Sequence, residues 1–361
     1  MQKDVKLVRS QSPFINKKWD SKRIMLDVLI ALIPVVLFSV YRWGFASFCR
    51  IFTSVLVAIL TEAIIFPLSQ KEDRKVEGKF KRFLSRYKEF NSLNILTSAL
   101  TGLIFALTLP AGISFYVIIM GAIFGIAIGK MVYGGTGHNI FNPAAVGRVF
   151  VSLAFGSFFV GAYPGLDAIA GTTPLTYVRE ASFGEVLQSY EIWELFVGCV
   201  PGPMGEISKI AILIGAIYLV ARRAADWKIM LSVLVPSFIF ALVAGAGLQV
   251  NTFQFGLFHL LSGGLMFGAV FMATDPVSSP LHTTSKMLYG LIIAIVTMLN
   301  RFFGSMPEGV VFGILFANMF VPLFDRIKIF RNRINWQFIV TYGVTMIIMI
   351  LIIFFGQGGT F

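Results

Sequence analysis

Apolar residues along this chain gather into runs of roughly 17 to 25 positions, the length a helix needs to cross about 30 Å of hydrocarbon, with short polar or glycine- and proline-rich stretches between them. The first run extends from about Ile24 to Tyr41 and the second from about Cys49 to Leu68; beyond a charged loop come Leu93 to Leu107 and Phe115 to Val132. Val149 to Val160 follows a polar break, and Lys209 to Ala221, Ile229 to Ala246, Phe253 to Met272, Met287 to Asn300, Val310 to Phe324 and Phe338 to Phe355 come after a less apolar stretch. The residue-by-residue alternation of a barrel strand is absent, so the runs read as helices. Leaving the last run aside, five precede residues 157–208 and five follow, starting from opposite sides of the membrane. The pattern predicts an all-α polytopic membrane protein of about ten to eleven transmembrane helices, in two inverted five-helix halves with broken helices and a binding site near the midplane. The expected organisation is a single integral membrane domain: a cytoplasmic tail (1–23), a first helical half (24–156), an extracytoplasmic segment (157–208), a second half (209–333) and an additional C-terminal helix (334–361).

Three breaks stand out from the apolar background. YGGTGHNIFNPAAVGR, Tyr133 to Arg148, sets glycines, Asn139, Asn142 and Pro143 just before an apolar run. Irregular backbone at membrane depth is tolerated only where protein or a cavity encloses it. Asn142 is placed to cap a helix begun at Pro143, whose exposed N-terminus favours anions; a tight turn with no ligand is the competing reading. Arg148, further into that helix, cannot face lipid without a cost of roughly 2.5 to 3.5 kcal/mol or more, so it is expected to point inward. FVGCVPGPMGEIS, Phe196 to Ser208, predicts a broken lead into the next span. ATDPVSSP, Ala273 to Pro280, puts Asp275 and Pro276 in a place comparable to Asn142 and Pro143, and the preceding Gly263, Gly264 and Gly268 allow close helix approach. Asp27 and Glu62, near the cytoplasmic ends of the first two spans, are expected to snorkel or pair.

Composition agrees with a membrane protein: 13% of residues are charged and 57% hydrophobic, against about 25% charged in soluble domains. A net charge of +12 would suggest nucleic acid in a soluble protein, but here its distribution argues otherwise. Four clusters, in the N-terminal tail, Lys71 to Lys88, Arg222 to Lys228 and Arg326 to Arg333, hold 22 of the 30 Lys and Arg residues. They fall on one face, which the positive-inside rule makes cytoplasmic and which an anionic leaflet attracts. Phe80, Phe83, Tyr87 and Phe90 within the second cluster suit an interfacial amphipathic helix. The first 23 residues are charged and lack an apolar core, so Ile24 onward is expected to insert as an uncleaved span. Cys49 and Cys199 lack metal-ligand spacing, and His138, His259 and His282 are scattered, so no metal site is expected within the chain.

The polar stretch DAIAGTTPL, Asp167 to Leu175, lies on the extracytoplasmic side by this charge assignment. No His, Lys or Asp sits beside Thr173 to activate its hydroxyl, and Gly171 and Pro174 favour an exposed, non-helical turn that a modifying enzyme could reach. An ordinary loop containing a threonine is the alternative.

Three stretches together, GKMVYGGTGHNIFNPAAVGR, DAIAGTTPL and SGGLMFGAVFMATDPVSSP, resemble the NqrB/RnfD family, and the opening SPFINKKWDSKRIMLDVLIALIP is similar to its RnfD branch; the likeness runs to about Arg333. The resemblance implies a membrane subunit carrying covalently bound FMN, esterified through its phosphate to Thr173 by a flavin transferase on the extracytoplasmic side. Asp167, Gly171, Thr172 and Thr173 fall on the acceptor pattern, while Ala170 stands where Ser or Thr is usual and Thr172 where Ala is usual, which leaves Thr172 a rival acceptor. Arg148, Asn142 and the glycine-rich breaks become candidates for cradling the phosphate or ring, and a second, noncovalent flavin such as riboflavin is implied in the membrane part. The implied setting is the cytoplasmic (inner) membrane of a bacterium or archaeon. There the subunit relays electrons beside other membrane and peripheral subunits of an Rnf-type ferredoxin:NAD oxidoreductase complex that couples electron flow to sodium or proton translocation. Nothing in the chain itself reads as a ferredoxin or NAD site, since it has neither a GxGxxG unit nor a cysteine set. A solute channel or transporter, and an assembly subunit without cofactor, are the alternatives.

Overall fold

The polar residues between the apolar runs decide where each helix starts. In the computed structural model, which describes residues 20–70, 85–159, 161–163, 173–176, 191–304, 309–326 and 334–358 with Gly78, Lys81 and Phe83, the regular elements are helical. In chain order they are α1 (Ser21–Trp43), α2 (Phe45–Ser69), α3 (Ser92–Leu107), α4 (Phe115–Ala127), α5 (Pro143–Ala154), α6 (Ile192–Val197), α7 (Lys209–Ala221) and α8 (Trp227–Gly247). They continue with α9 (Thr252–Leu261), α10 (Leu265–Met272), α11 (Thr283–Phe302), α12 (Val310–Arg326) and α13 (Trp336–Gly358). Asn91, Asn142, Ser208, Asp226 and Asn251 each accept a hydrogen bond from the first backbone N–H groups of the helix they precede, which satisfies donors that lipid could not. Gly44, at φ 70°, turns α1 directly into α2.

Among the described residues six helical spans are long and apolar enough to cross a membrane: α1, α2, Phe115–Tyr133, α8, α11 and α13. α9 and α10 pass the same test as a pair bent by 60°, which makes seven; α3, α5 and α7 are shorter apolar helices. Two expected runs are therefore not continuous. Phe253 to Met272 is broken at Ser262–Gly264, with Gly263 at φ 62°, and α10 winds as a π-helix over Gly268–Met272. Val149 to Val160 belongs to a helix that begins earlier, at the Asn142 cap, and stops at Ala154. Of the expected interfacial helix, Phe80 lies outside the described residues, Lys81, Phe83 and Ser85 are helical, and a short 3-10 turn follows at Arg86–Glu89. The Tyr87 hydroxyl donates to Ala63 O (2.9 Å) and Phe90 meets Phe66 edge-on, so this stretch is fastened to α2.

The bundle has two distinguishable ends. At the first, Tyr218 and Arg222 of α7 donate to Asp27 of α1 (3.1 and 3.2 Å), Lys286 pairs with Asp226, and Leu281 N donates to Asp325. At the other, Ser39 and Ser47 share a hydrogen bond, Ser47 reaches Met204, and Gly205 N donates to Leu107 O. α1 and α7 run side by side in opposite directions between these ends. α2 packs on α3 and α4, and α4 on α5; in the second half α8 packs on α9 and α11, and α11 on α12. α1 meets α7, and α5 meets α12, across the middle.

One buried ion pair ties the first half together. Lys130 Nζ lies 2.5 Å from Glu62 Oε2 and donates to Thr97 Oγ1 (2.8 Å) and Ser98 Oγ (3.2 Å), while Asn94 Nδ2 donates to the other Glu62 oxygen (3.1 Å). Of the two expected outcomes for Glu62 and Asp27, snorkelling or pairing, both residues pair: Glu62 with Lys130, and Asp27 with Arg222 and Tyr218. Such a pair adds little net stability, yet removing one partner leaves an uncompensated charge. Lys130→Met alone should therefore cost about 3–5 kcal/mol, and the double variant Glu62→Gln/Lys130→Met should recover most of the loss in thermal unfolding of the detergent-purified protein.

At the first end Asp226 caps α8 by accepting from Lys228 N (3.0 Å) and pairs with Lys286 (2.9 Å). Burial pushes its carboxyl pKa up, but Lys286 and the Lys228 amide outweigh that and hold it below the ordinary carboxylate range. A depressed folded-state pKa adds stability above the unfolded value, and that stability is lost as pH falls through the folded one. Asp226→Ala should cost about 1 kcal/mol near neutral pH, Asp226→Asn should cost less because it keeps the cap, and the gap between Asn variant and parent should close as pH falls below the ordinary carboxylate range in melts across a pH series.

Candidate functional site

Thr173 sits at the second end of the bundle, and it is not the exposed residue that its turn suggests. Only 7% of it is accessible. Its Oγ1 lies 2.9 Å from Thr176 Oγ1 and accepts weakly from Thr176 N, in a helical turn formed by residues 174–176. Leu175 explains the difference. It is buried, and a Cβ placed on Gly263 would lie 2.6 Å from its Cδ1. Gly263 makes room for an apolar plug, and the plug carries Thr173 inward. Asp167, Gly171 and Thr172 lie outside the described residues.

Thr173 lines a small cavity of about 20 Å³ with Pro174, Pro201, Glu206, Lys209 and Gly263 among its other walls. Lys209, the first residue of α7, is 1% exposed; its ammonium donates to the backbone oxygens of Glu206 and Gly263, the latter at 3.1 Å. Arg301 of α11 donates to His259 O and to Ser262 O (3.0 Å). Two cations thus take up carbonyls at the C-terminal end of α9, where the helix dipole favours positive charge. The Glu206 carboxylate sits against Gly264, where a Cβ would lie 2.6 Å from it, at the start of α10, where the dipole favours negative charge. Sequence reasoning did not single out Glu206, Lys209 or Arg301. Lys209 opens an apolar run and Arg301 closes one, so both read as flanking charges; the one signal was their presence at the margins of otherwise uncharged spans.

The remaining sequence candidates lie elsewhere. Arg148 points inward as expected, with Nη1 2.5 Å from Ser152 Oγ and its guanidinium 4.6 Å from the Phe159 ring centroid, but it does not line the Thr173 cavity. Asn142 caps α5 through Oδ1 and donates from Nδ2 to Met272 O at 3.0 Å. It lines a second cavity, between the two halves, with Lys130, Asn139, Thr274, Asp275 and Pro276. The structure therefore brings two of the polar breaks to one place, and Thr173 to another. α10 joins them, running from Gly264 beside Glu206 to the Met272 carbonyl that Asn142 holds. A third, more open cavity at the first end, with Arg223, Asp226 and Lys286 in its wall, shares Thr274 and Pro276 with the second.

The NQR2, RnfD, RnfE family model matches residues 8–333. The chain is similar to a subunit of the Na(+)-translocating NADH-quinone reductase of Chromohalobacter salexigens, at 33% identity over 342 residues covering 87% of this chain and 83% of the relative. It is 32% identical over 346 residues to a subunit of the Na(+)-translocating ferredoxin:NAD(+) oxidoreductase complex of Acetobacterium woodii, covering 95% of this chain and 98% of the relative. It is also 30% identical over 338 residues to a subunit of the ion-translocating oxidoreductase complex of Stutzerimonas stutzeri, covering 84% and 90%. The family match takes in both halves and all three cavities and stops just before α13: the chain belongs to the NQR2, RnfD, RnfE family.

Proposed function

We propose that the chain is an RnfD-type membrane flavoprotein subunit, carrying FMN as a phosphoester on Thr173 and relaying electrons within a ferredoxin:NAD oxidoreductase complex that moves sodium or protons. The near end-to-end match to the Acetobacterium woodii protein favours that branch of the family. The observation that carries the flavin assignment is Thr173 itself, a buried hydroxyl sharing a small cavity with a buried ammonium. The cavity beside it, about 20 Å³, has room for about one water, so the flavin lies outside it and the ester reaches Thr173 only when the 173–176 turn is displaced. When bound, the flavin supplies the electron transfer, and the protein fixes its position and potential. Since no activating base adjoins Thr173 in the sequence, attachment is the work of a separate transferase. That enzyme must meet residues 173–176 before Leu175 docks beside Gly263.

A further, noncovalent flavin such as riboflavin is implied by the family resemblance; the second cavity, at about 60 Å³ against about 300–1,000 Å³ for small-molecule sites, would have to widen to take one. Its walls are largely apolar, with Met25, Val28, Leu100 and Phe271, and Asn139 and Asn142 contribute a few polar groups in the manner of small-molecule sites. Asn142 would act there, and not at Thr173.

We place ten to eleven helices in the membrane as two inverted halves, α1–α5 and α7–α12, in one domain with α13 added. The matching sets of helix neighbours in the two halves, and the antiparallel course of α1 and α7, support this. In that register α3 answers to α9–α10, so the counterpart of Asp275–Pro276 is Leu109–Pro110, and Asn142–Pro143 meets it by convergence on one cavity. The basic end, with Arg222, Lys286 and Arg326, faces the cytoplasm together with the N-terminus, and Thr173 faces the other side.

A solute conduit draws support from the open third cavity, which leads to Asp275 between the halves. The flavin test separates the two readings. After co-expression with a flavin transferase, the denatured wild-type chain should fluoresce as a flavoprotein in the gel, and Thr173→Ala should be dark while still inserting. A dark wild-type chain removes the redox assignment and leaves the conduit; loss of signal in Thr172→Ala, with Thr173→Ala still bright, moves the acceptor to Thr172.

A further inference from the structure

We propose that the third cavity, at the first end of the bundle, seats the phosphate headgroup of an anionic phospholipid, with Arg223 as the residue that grips it. At about 610 Å³ this cavity falls within the range of small-molecule sites, about 300–1,000 Å³. It opens where four parts of the chain meet: Ile24 in α1, the turn from α7 to α8, residues 274–281 and Lys286 of α11. The charged side chains in its wall are Arg223, Asp226 and Lys286. Lys286 and Asp226 pair at 2.9 Å, and the neighbouring Lys228 ammonium donates to Thr283 Oγ1 at 3.1 Å. Arg223 is exposed, and among the described residues its guanidinium has no partner.

The backbone sets Arg223 apart from the other basic residues at this end. Its φ is 54°, in the left-handed region that penalises a side chain and that glycine usually fills just after a helix. The hydrogen bonds that close α7 there run from Arg223 N to Val220 O and from Ala224 N to Leu219 O, and they need no side chain at position 223. Nor does the helix dipole call for it. A cation is favoured at the C-terminal end of α7, but Arg222, held on Asp27, already supplies one. A strained residue whose charge serves no neighbour points to a ligand, and a guanidinium meets a phosphate with a planar pair of donors. The rest of the wall matches an amphiphile. Ile24, Val220 and Leu281 are apolar, and Trp227 and Leu281 are 52% and 73% exposed, as side chains at headgroup level are. A soluble phosphate would leave that apolar part of the cavity unused, whereas the glycerol and upper acyl chains of a lipid cover it.

The test follows the melting temperature of the full-length protein in detergent as phosphatidylglycerol, phosphatidylcholine or glycerol 1-phosphate is added. Phosphatidylglycerol should raise it with a saturable midpoint, and the other two should not at the same concentrations. Arg223→Gly should move that midpoint to about ten-fold more lipid, while the lipid-free variant melts no lower than the parent because glycine relieves the backbone. Arg223→Lys, which keeps the charge and loses the planar fork, should fall between the two. Lys88→Gln removes an exposed charge at the same end but outside the cavity, so it should respond as the parent does. The inference is overturned by a parent that phosphatidylglycerol does not stabilise, or that phosphatidylcholine or glycerol 1-phosphate stabilises equally. An unchanged midpoint in Arg223→Gly, or an equal loss in Lys88→Gln, overturns it as well. The flavin reading of Thr173 stands or falls apart from all of these results.

Discussion

A backbone carbonyl without a partner inside a membrane protein costs several kcal/mol, and the bend between α9 and α10 exposes a group of them. The arrangement around Thr173 follows from how that cost is met. Helix α9 ends at Leu261, and the carbonyls of His259, Ser262 and Gly263 are taken by Arg301 and Lys209. Because those two cations come from α11 and α7, the bend clamps helices from separate parts of the chain. Because Gly263 has no side chain, Leu175 can press against the clamp and hold Thr173 in the cavity beside it. Had the run from Phe253 to Met272 stayed straight, its carbonyls would have bonded within the helix and neither cation would have had reason to be buried.

The same bend gives α10 its direction, and α10 is the structural link between the two cavities. Its first end lies beside Glu206, and its last carbonyl, Met272 O, is held by Asn142 at 3.0 Å. A helix of eight residues is about 12 Å long at about 1.5 Å per residue, so the cavities are close neighbours. Tight packing keeps that separation fixed: a Cβ on Gly268 would come within 2.8 Å of Val310, so α10 lies flush against α12. Two sites held at a fixed short separation by one rigid element suit a relay of electrons, and a conduit for solutes would instead require the element between the cavities to move.

What the sequence made legible was periodic or local. The apolar runs gave the helices, the Asn142-Pro143 pair gave the start of α5 together with its cap, and the intramembrane charges Asp27, Glu62 and Arg148 gave inward-facing side chains. The glycines of SGG were read as permitting close approach, which they do, but their role as a break was missed because a run of apolar residues on both sides has the right length for one straight span. The burial of Thr173 was missed for a related reason. Gly171 and Pro174 describe the local backbone, whereas the inward pull comes from Leu175 meeting a glycine 88 positions away, and no local pattern encodes that meeting.

Asp275–Pro276 and Asn142–Pro143, read from the sequence as comparable breaks, meet at one cavity. The two breaks are alike in composition and share a cavity, so reading them as symmetry mates is natural. In the inverted arrangement proposed above, corresponding parts of the halves would fall at opposite ends of the bundle, whereas these two breaks lie together near the first end with Lys130 and Asp226 close by. Their likeness is better explained by a shared physical demand. Asn142 opens a helix and Asp275 follows the end of one beside the same enclosed space, and each supplies acceptors for amides left free there: Asn142 Oδ1 takes those of Ala144 and Ala145, and Asp275 accepts from Val277, Ser278 and the Ser278 hydroxyl. A shared demand at one cavity is what sets Asn-Pro and Asp-Pro side by side.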